Sequence, residues 1–118
     1  MPGSGPVLVV DDNEDLRELL CEFLTMLGHE PLPARDGVEA LQILAGGPKP
    51  LLVLLDRNIP RLDGVSFLEQ AAHTLLGVPV IWMTGAADDV QHPLVRATLR
   101  KPFDLEALER TVRLYLSP

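Results

Sequence analysis

A three-layer α/β sandwich is the fold class this sequence predicts. Three observations carry it. Short apolar runs alternate five times with stretches whose apolar residues recur at helical spacing. Two of the runs, Val7 to Val10 and Leu51 to Leu55, are apolar without a break, the mark of strands buried on both faces of a parallel sheet. Both runs end in acid, at Asp11-Asp12 and at Asp56. With 118 residues the chain is expected to form one domain, spanning 7–118 after a loose tail over 1–6.

The first strand is Val7 to Val10. Asp11 and Asp12 sit between it and a helix, where one of them can also cap. That helix carries Leu16, Leu19, Leu20, Phe23, Leu24 and Leu27 on one stripe, and Gly28 stops it. The second strand lies near Glu30 to Ala34 and contains Pro31 and Pro33. Proline cannot donate to a ladder, so this strand belongs at an edge. Asp36-Gly37 opens the second helix, with Val38, Leu41 and Leu44 inward, and Gly46-Gly47-Pro48 ends it. The third strand then delivers Asp56. The stretch Arg57 to Gly64 is a loop by its proline and Asp-Gly content. A third helix is expected from about Val65 to Leu75, and a fourth strand from Val78 to Met83, closed by Thr84-Gly85.

The segment from Thr84 to Lys101 is cramped. It must hold two loops, a fourth helix and a fifth strand, which leaves that helix roughly one to two turns. His92 precedes Pro93 and is biased away from helix. The fourth helix is therefore expected to be short or distorted, with the fifth strand at Ala97 to Arg100. Asp104 is a good N-cap for the last helix, whose inner face is Leu105, Leu108, Val112 and Leu116.

Parallel strands joined by right-handed crossovers give a doubly wound sheet in the order 2-1-3-4-5. This order puts the proline-bearing second strand at an edge and the first and third strands side by side. Asp11, Asp12 and Asp56 then converge at the carboxyl rim, and Thr84 and Lys101 arrive at the same rim. An Asp after a strand is by itself a common turn former, and a hydroxyl there usually bonds nearby backbone. Together the five residues support a sharper reading. Three close carboxylates need a cation, and an all-oxygen donor set selects a hard ion such as Mg²⁺. A carboxylate beside Mg²⁺ can accept a phosphoryl group, with Lys101 as the neutralising ammonium and Thr84 as a donor to a phosphoryl oxygen.

Composition narrows the classes further. A net charge of −7 argues against a nucleic-acid surface on this domain. One cysteine, Cys21, permits no internal disulfide and reads as a small hydrophobe on a helix flank. His29, His73 and His92 lie on separate elements, so zinc has no ligand cluster. No apolar run reaches membrane-spanning length and no signal segment opens the chain, so a cytoplasmic protein without a membrane partner is expected.

Asp11-Asp12, Asp56, Ile59-Pro60 with Asp63-Gly64, Thr84 and Lys101-Pro102-Phe103 resemble the receiver domain of two-component response regulators. The resemblance runs from Val7 to the last helix. It implies a flavodoxin-like (CheY-like) sandwich and a phosphoacceptor at Asp56, charged by a histidine kinase or histidine phosphotransfer protein. It implies Mg²⁺ held by Asp12, Asp56 and the Asn58 backbone carbonyl, with Asp11 acting mostly through water. Lys101 and Thr84 would hold the phosphoryl group, and Asn58 and Ala86 would border the path of the water that removes it. Self-catalysed transfer and slow self-dephosphorylation are implied, not enzymatic turnover of a separate substrate. The family's usual output and pairing face is built from its fourth and fifth helices and fifth strand, so a homodimer is one expected assembly, beside a downstream protein.

Two departures bear on output. The family commonly carries an aromatic three positions before the lysine, where this chain has Thr98, and the fourth helix is about a turn short. Either another face carries the output, or that segment orders only on a partner. An alternative reading is an adaptor of receiver fold that binds partners without phosphorylation. A phosphatase with an Asp nucleophile would need an acid where Asn58 stands. No glycine-rich phosphate loop follows the first strand, as a nucleotide-binding module requires.

Overall fold

The computed structural model describes residues 5–57, 59, 61–85 and 92–116. In chain order the elements are β1 (Pro6–Val10), α1 (Glu14–Met26), β2 (Glu30–Ala34), α2 (Gly37–Gly46), β3 (Leu52–Asp56), α3 (Gly64–Ala71), β4 (Val80–Thr84), β5 (Val95–Arg100) and α4 (Leu105–Leu116). The five strands are all parallel, in the order β2-β1-β3-β4-β5.

Alternation along the strands builds two cores. Leu8, Val10, Val53, Leu55, Val80 and Trp82 face one way and pack with Ala40 of α2 and with Phe67, Leu68 and Ala71 of α3. Val7, Val9, Leu52, Leu54, Ile81, Met83 and Leu99 face the other way, against Leu20 and Leu24 of α1 and Leu108, Val112 and Leu116 of α4. Helices on both faces explain why the central strands are apolar without alternation.

The prolines of β2 fall as the edge requires. Glu30 N–H donates to Gly5 O at 3.0 Å, and Ala34 O accepts from Asp11 N–H at 3.1 Å. Residues of that parity therefore serve the ladder to β1. Pro31 and Pro33 have the opposite parity, so both missing donors lie on the open side of the sheet.

Several boundaries differ from expectation. The N-cap of α1 is Asn13, whose side chain accepts from Leu16 N–H at 2.9 Å, not either preceding aspartate. This leaves both aspartates to the rim. α3 is shorter than expected and continues as turns, in which Leu75 stays fully buried and its N–H bonds to Ala71 O. β4 starts at Val80, just after Pro79, which brings no donor to a ladder. β5 starts two residues early, after a turn in which Val95 N–H bonds to His92 O at 2.9 Å. Among the described residues no helix lies between β4 and β5. The short fourth helix expected there, and Ala86 with it, fall largely on 86–91, outside the described residues. Asp104 caps the last helix as expected, accepting from Ala107 N–H at 2.7 Å.

Candidate functional site

Strand parity assembles the site. Asp11 continues the Val7, Val9 series, Asp56 the Leu52, Leu54 series, and Lys101 the Ala97, Leu99 series. All three extend the α1/α4 side at the carboxyl ends of neighbouring or near-neighbouring strands. Carboxylate oxygens of Asp11, Asp12 and Asp56 lie within 4.8 Å of one another. Asp11 is fully buried and Asp56 is 6% exposed, while Asp12 is open to solvent. Lys101 Nζ donates to Asp11 Oδ2 at 2.9 Å and to Asp56 Oδ2 at 3.2 Å. Thr84 is buried at the end of β4, and its carbonyl accepts from Lys101 N–H at 2.7 Å. The sequence thus named five residues that share one rim. The sixth, Asn58, lies outside the described residues.

Local bonds fix the acids. Asp11 Oδ1 accepts from Asn13 N–H at 2.9 Å, and Arg17 Nη1 donates to Asp11 O at 2.9 Å. Asp56 is followed at once by Arg57, whose N–H bonds to Met83 O at 3.1 Å. Burial pushes the Lys101 ammonium down, but Asp11 first and Asp56 next outweigh it and hold its pKa above the ordinary lysine value. One ammonium among three carboxylates leaves an excess of negative charge. Two like charges about 5 Å apart repel by roughly 3 kcal/mol at an effective dielectric near 20. A divalent cation relieves that repulsion, and the donors are all hard oxygens, so the residues fit Mg²⁺.

Some features gave no local signal. The Asn13 cap was hidden by the two aspartates before it, although Asn is itself a strong capping residue. Arg61 stands at a positive φ of 65° and pairs with Asp36, 25 positions away, so no window around either residue shows the contact. Burial pushes the Cys21 thiol up, in keeping with a small apolar role.

Gly64, at the start of α3, closes the loop after Asp56 by donating to Arg57 O at 3.1 Å. A Cβ there would stand 2.8 Å from the Trp82 ring and 3.1 Å from the Arg57 carbonyl. Trp82 is buried, so moving its ring disturbs the packed core around it. Gly64→Ala is expected to cost about 1–3 kcal/mol, as other overpacked sites do. Urea denaturation checks this; an unchanged midpoint would mean the ring and loop yield freely.

Comparison with known proteins agrees with this architecture. The response regulator receiver domain family matches residues 7–113. Sporulation initiation phosphotransferase F of Bacillus subtilis (strain 168) is 35% identical over 115 residues, covering 93% of this chain and 92% of that protein. Sensor histidine kinase RcsC of Salmonella typhi is 35% identical over 114 residues, which cover 92% of this chain but span only 12% of that protein. Among solved structures, chemotaxis response regulator CheY4 of Vibrio cholerae superposes with a TM-score of 0.86 at 25% identity, covering 96% of this chain and 99% of that one. No described helix is long and apolar enough to cross a membrane. With the family's profile matched over nearly the full length and its rim of acids and lysine in place, the chain belongs to the response regulator receiver domain family.

Proposed function

We propose that this chain is a phosphoacceptor: Asp56 takes a phosphoryl group from a histidine kinase or histidine phosphotransfer protein. Receiver domains are signalling modules that interact with such proteins and generally bind Mg²⁺ at an acidic pocket. The observation that carries the reading is a nearly buried Asp56 carboxylate sharing one ammonium with Asp11, beside Asp12. An oxygen of Asp56 attacks phosphorus, the phosphorus–nitrogen bond of the phosphohistidine breaks, and the imidazole leaves with a proton. The product is an acyl phosphate on Asp56. Asp11, Asp12 and Asp56, with the Asn58 carbonyl, are the residues that would hold Mg²⁺, which when bound neutralises charge on the transferring group. Lys101, already 3.2 Å from Asp56 Oδ2, supplies a second positive charge at the acceptor. The Thr84 hydroxyl is the proposed donor to a phosphoryl oxygen.

Output is proposed to be atypical. Thr98 is exposed on β5, directly across from Trp82 in the register, where the family commonly places an aromatic. A small hydroxyl side chain there cannot carry a ring into the core. The same feature favours the alternative, an adaptor that binds partners whether or not Asp56 is phosphorylated.

Intact mass tests the function directly. With Mg²⁺ and acetyl phosphate the protein is expected to gain one phosphoryl group, and a chelator should prevent it. Trp82 is the only tryptophan, two positions before Thr84, so its fluorescence should shift with Mg²⁺ and again with the donor. No added mass in the presence of Mg²⁺ would remove the phosphoacceptor reading and leave the adaptor.

A further inference from the structure

The loop after Asp56 is fastened to a helix that takes no part in the acid pocket. Asp36 caps α2, its Oδ1 accepting from Glu39 N–H at 2.8 Å. Its other oxygen, Oδ2, accepts from Arg61 Nη2 at 2.8 Å and Nε at 2.9 Å. Asp36 is buried, so the carboxylate is held in place, while Arg61 reaches it from the surface. Beside the pair, Gly37 lies so close to Leu62 that a Cβ would collide with the Leu62 carbonyl. Arg61 itself adopts φ 65°, a left-handed conformation that disfavours a side chain by about 1–2 kcal/mol. Such strain persists where surrounding contacts over-determine it. Here the ion pair and the Gly37–Leu62 contact do so.

We infer that Asp36 and Arg61 are positioning residues: their ion pair ties Arg61, five positions beyond Asp56, to the start of α2 and so sets the acid pocket's affinity for a divalent cation. The inference rests on the proposed function of the pocket. The ends of the segment are already tied, by Arg57 N–H to Met83 O and by Gly64 N–H to Arg57 O. Ile59 is buried in the α2/α3 core. The clamp adds a long-range polar tie at the far side of the loop. Cap and clamp are separate jobs for one carboxylate, which an amide can split. Asparagine keeps the capping oxygen but gives up the charge. Burial pushes the Asp36 carboxyl up, yet the Glu39 amide and the Arg61 guanidinium outweigh it and hold it below the ordinary value, as a carboxylate used twice should be.

Mg²⁺ titration by calorimetry on the full chain tests this. Asp36→Asn and Arg61→Ala are each expected to weaken Mg²⁺ binding about tenfold, the scale seen when support behind a metal ligand is lost. The double variant should be no weaker than the weaker single, because both remove one interaction. Arg61→Gly accepts φ 65° without strain. It should therefore resist urea better than Arg61→Ala while binding Mg²⁺ no more tightly. Ile43→Ala loosens α2 elsewhere and should keep wild-type affinity. Wild-type affinity in Asp36→Asn and Arg61→Ala, or equal weakening in Ile43→Ala, would overturn the inference and leave the function standing. No Mg²⁺ binding by the wild-type protein would overturn both.

Discussion

Asp56→Asn is expected to fold and to gain no phosphoryl group from acetyl phosphate. An amide nitrogen and carbonyl offer no carboxylate nucleophile, so the acyl phosphate cannot form. The side chain keeps its size in a nearly closed site, and one of three mutually repelling charges disappears. Lys101 keeps Asp11 as a partner at 2.9 Å. Stability should therefore stay within about 1 kcal/mol of the parent, since relief of repulsion and loss of attraction oppose one another. Mg²⁺ binding should weaken with the lost charge. In fluorescence, the donor-dependent change at Trp82 should vanish while a reduced Mg²⁺ response remains. Persistent mass gain in this variant would put the nucleophile elsewhere, with Asp12 the first residue to check.

Lys101→Ala should slow phosphoryl uptake and make stability depend on Mg²⁺. The ammonium bridges Asp11, fully buried, and Asp56, nearly so. Removing one partner of a buried ion pair costs about 3–5 kcal/mol. Lys101 is itself 26% exposed, and water can reach the space it leaves, so roughly 1–3 kcal/mol is expected. A divalent cation can then take over the neutralising role, and ligand at about 100 times its dissociation constant contributes about 2.7 kcal/mol. The urea midpoint of the variant should rise more with Mg²⁺ than that of the parent. Lysine pH dependence gives a second check. The folded-state pKa of Lys101 is raised above about 10.5, so its contribution is fully present below that pH. It is lost as the pH climbs through the raised value. The parent should show that alkaline loss and the variant should not. Equal Mg²⁺ dependence in both proteins would mean that the ammonium and the metal do not share the acids.

The sequence announced the sheet and the rim because burial left it no choice. Val7 to Val10 and Leu52 to Leu55 have helices on both faces, so they run apolar until solvent returns, and the first acids mark that point. Asp11, Asp56 and Lys101 were legible together because strand parity and order bring them to one end. Pro31 and Pro33 placed β2 at the edge. Boundaries were less visible. The end of α3 dissolves into turns that still bury Leu75, so the apolar spacing continues past the helix. Arg61 and Asp36 were invisible as a pair, since a contact across 25 positions leaves no periodic trace. Thr98 was read as a departure from the family pattern, and its exposure on β5 is what the structure adds.

The two prolines of β2 also decide how the sheet meets its surroundings. An unprotected outer strand is a template on which foreign chains stack into aggregates. Here that template lacks its donors at alternate positions, so the carbonyls of a guest strand would find no N–H to accept from. Growth of the sheet into a larger ribbon is therefore disfavoured on the β2 side.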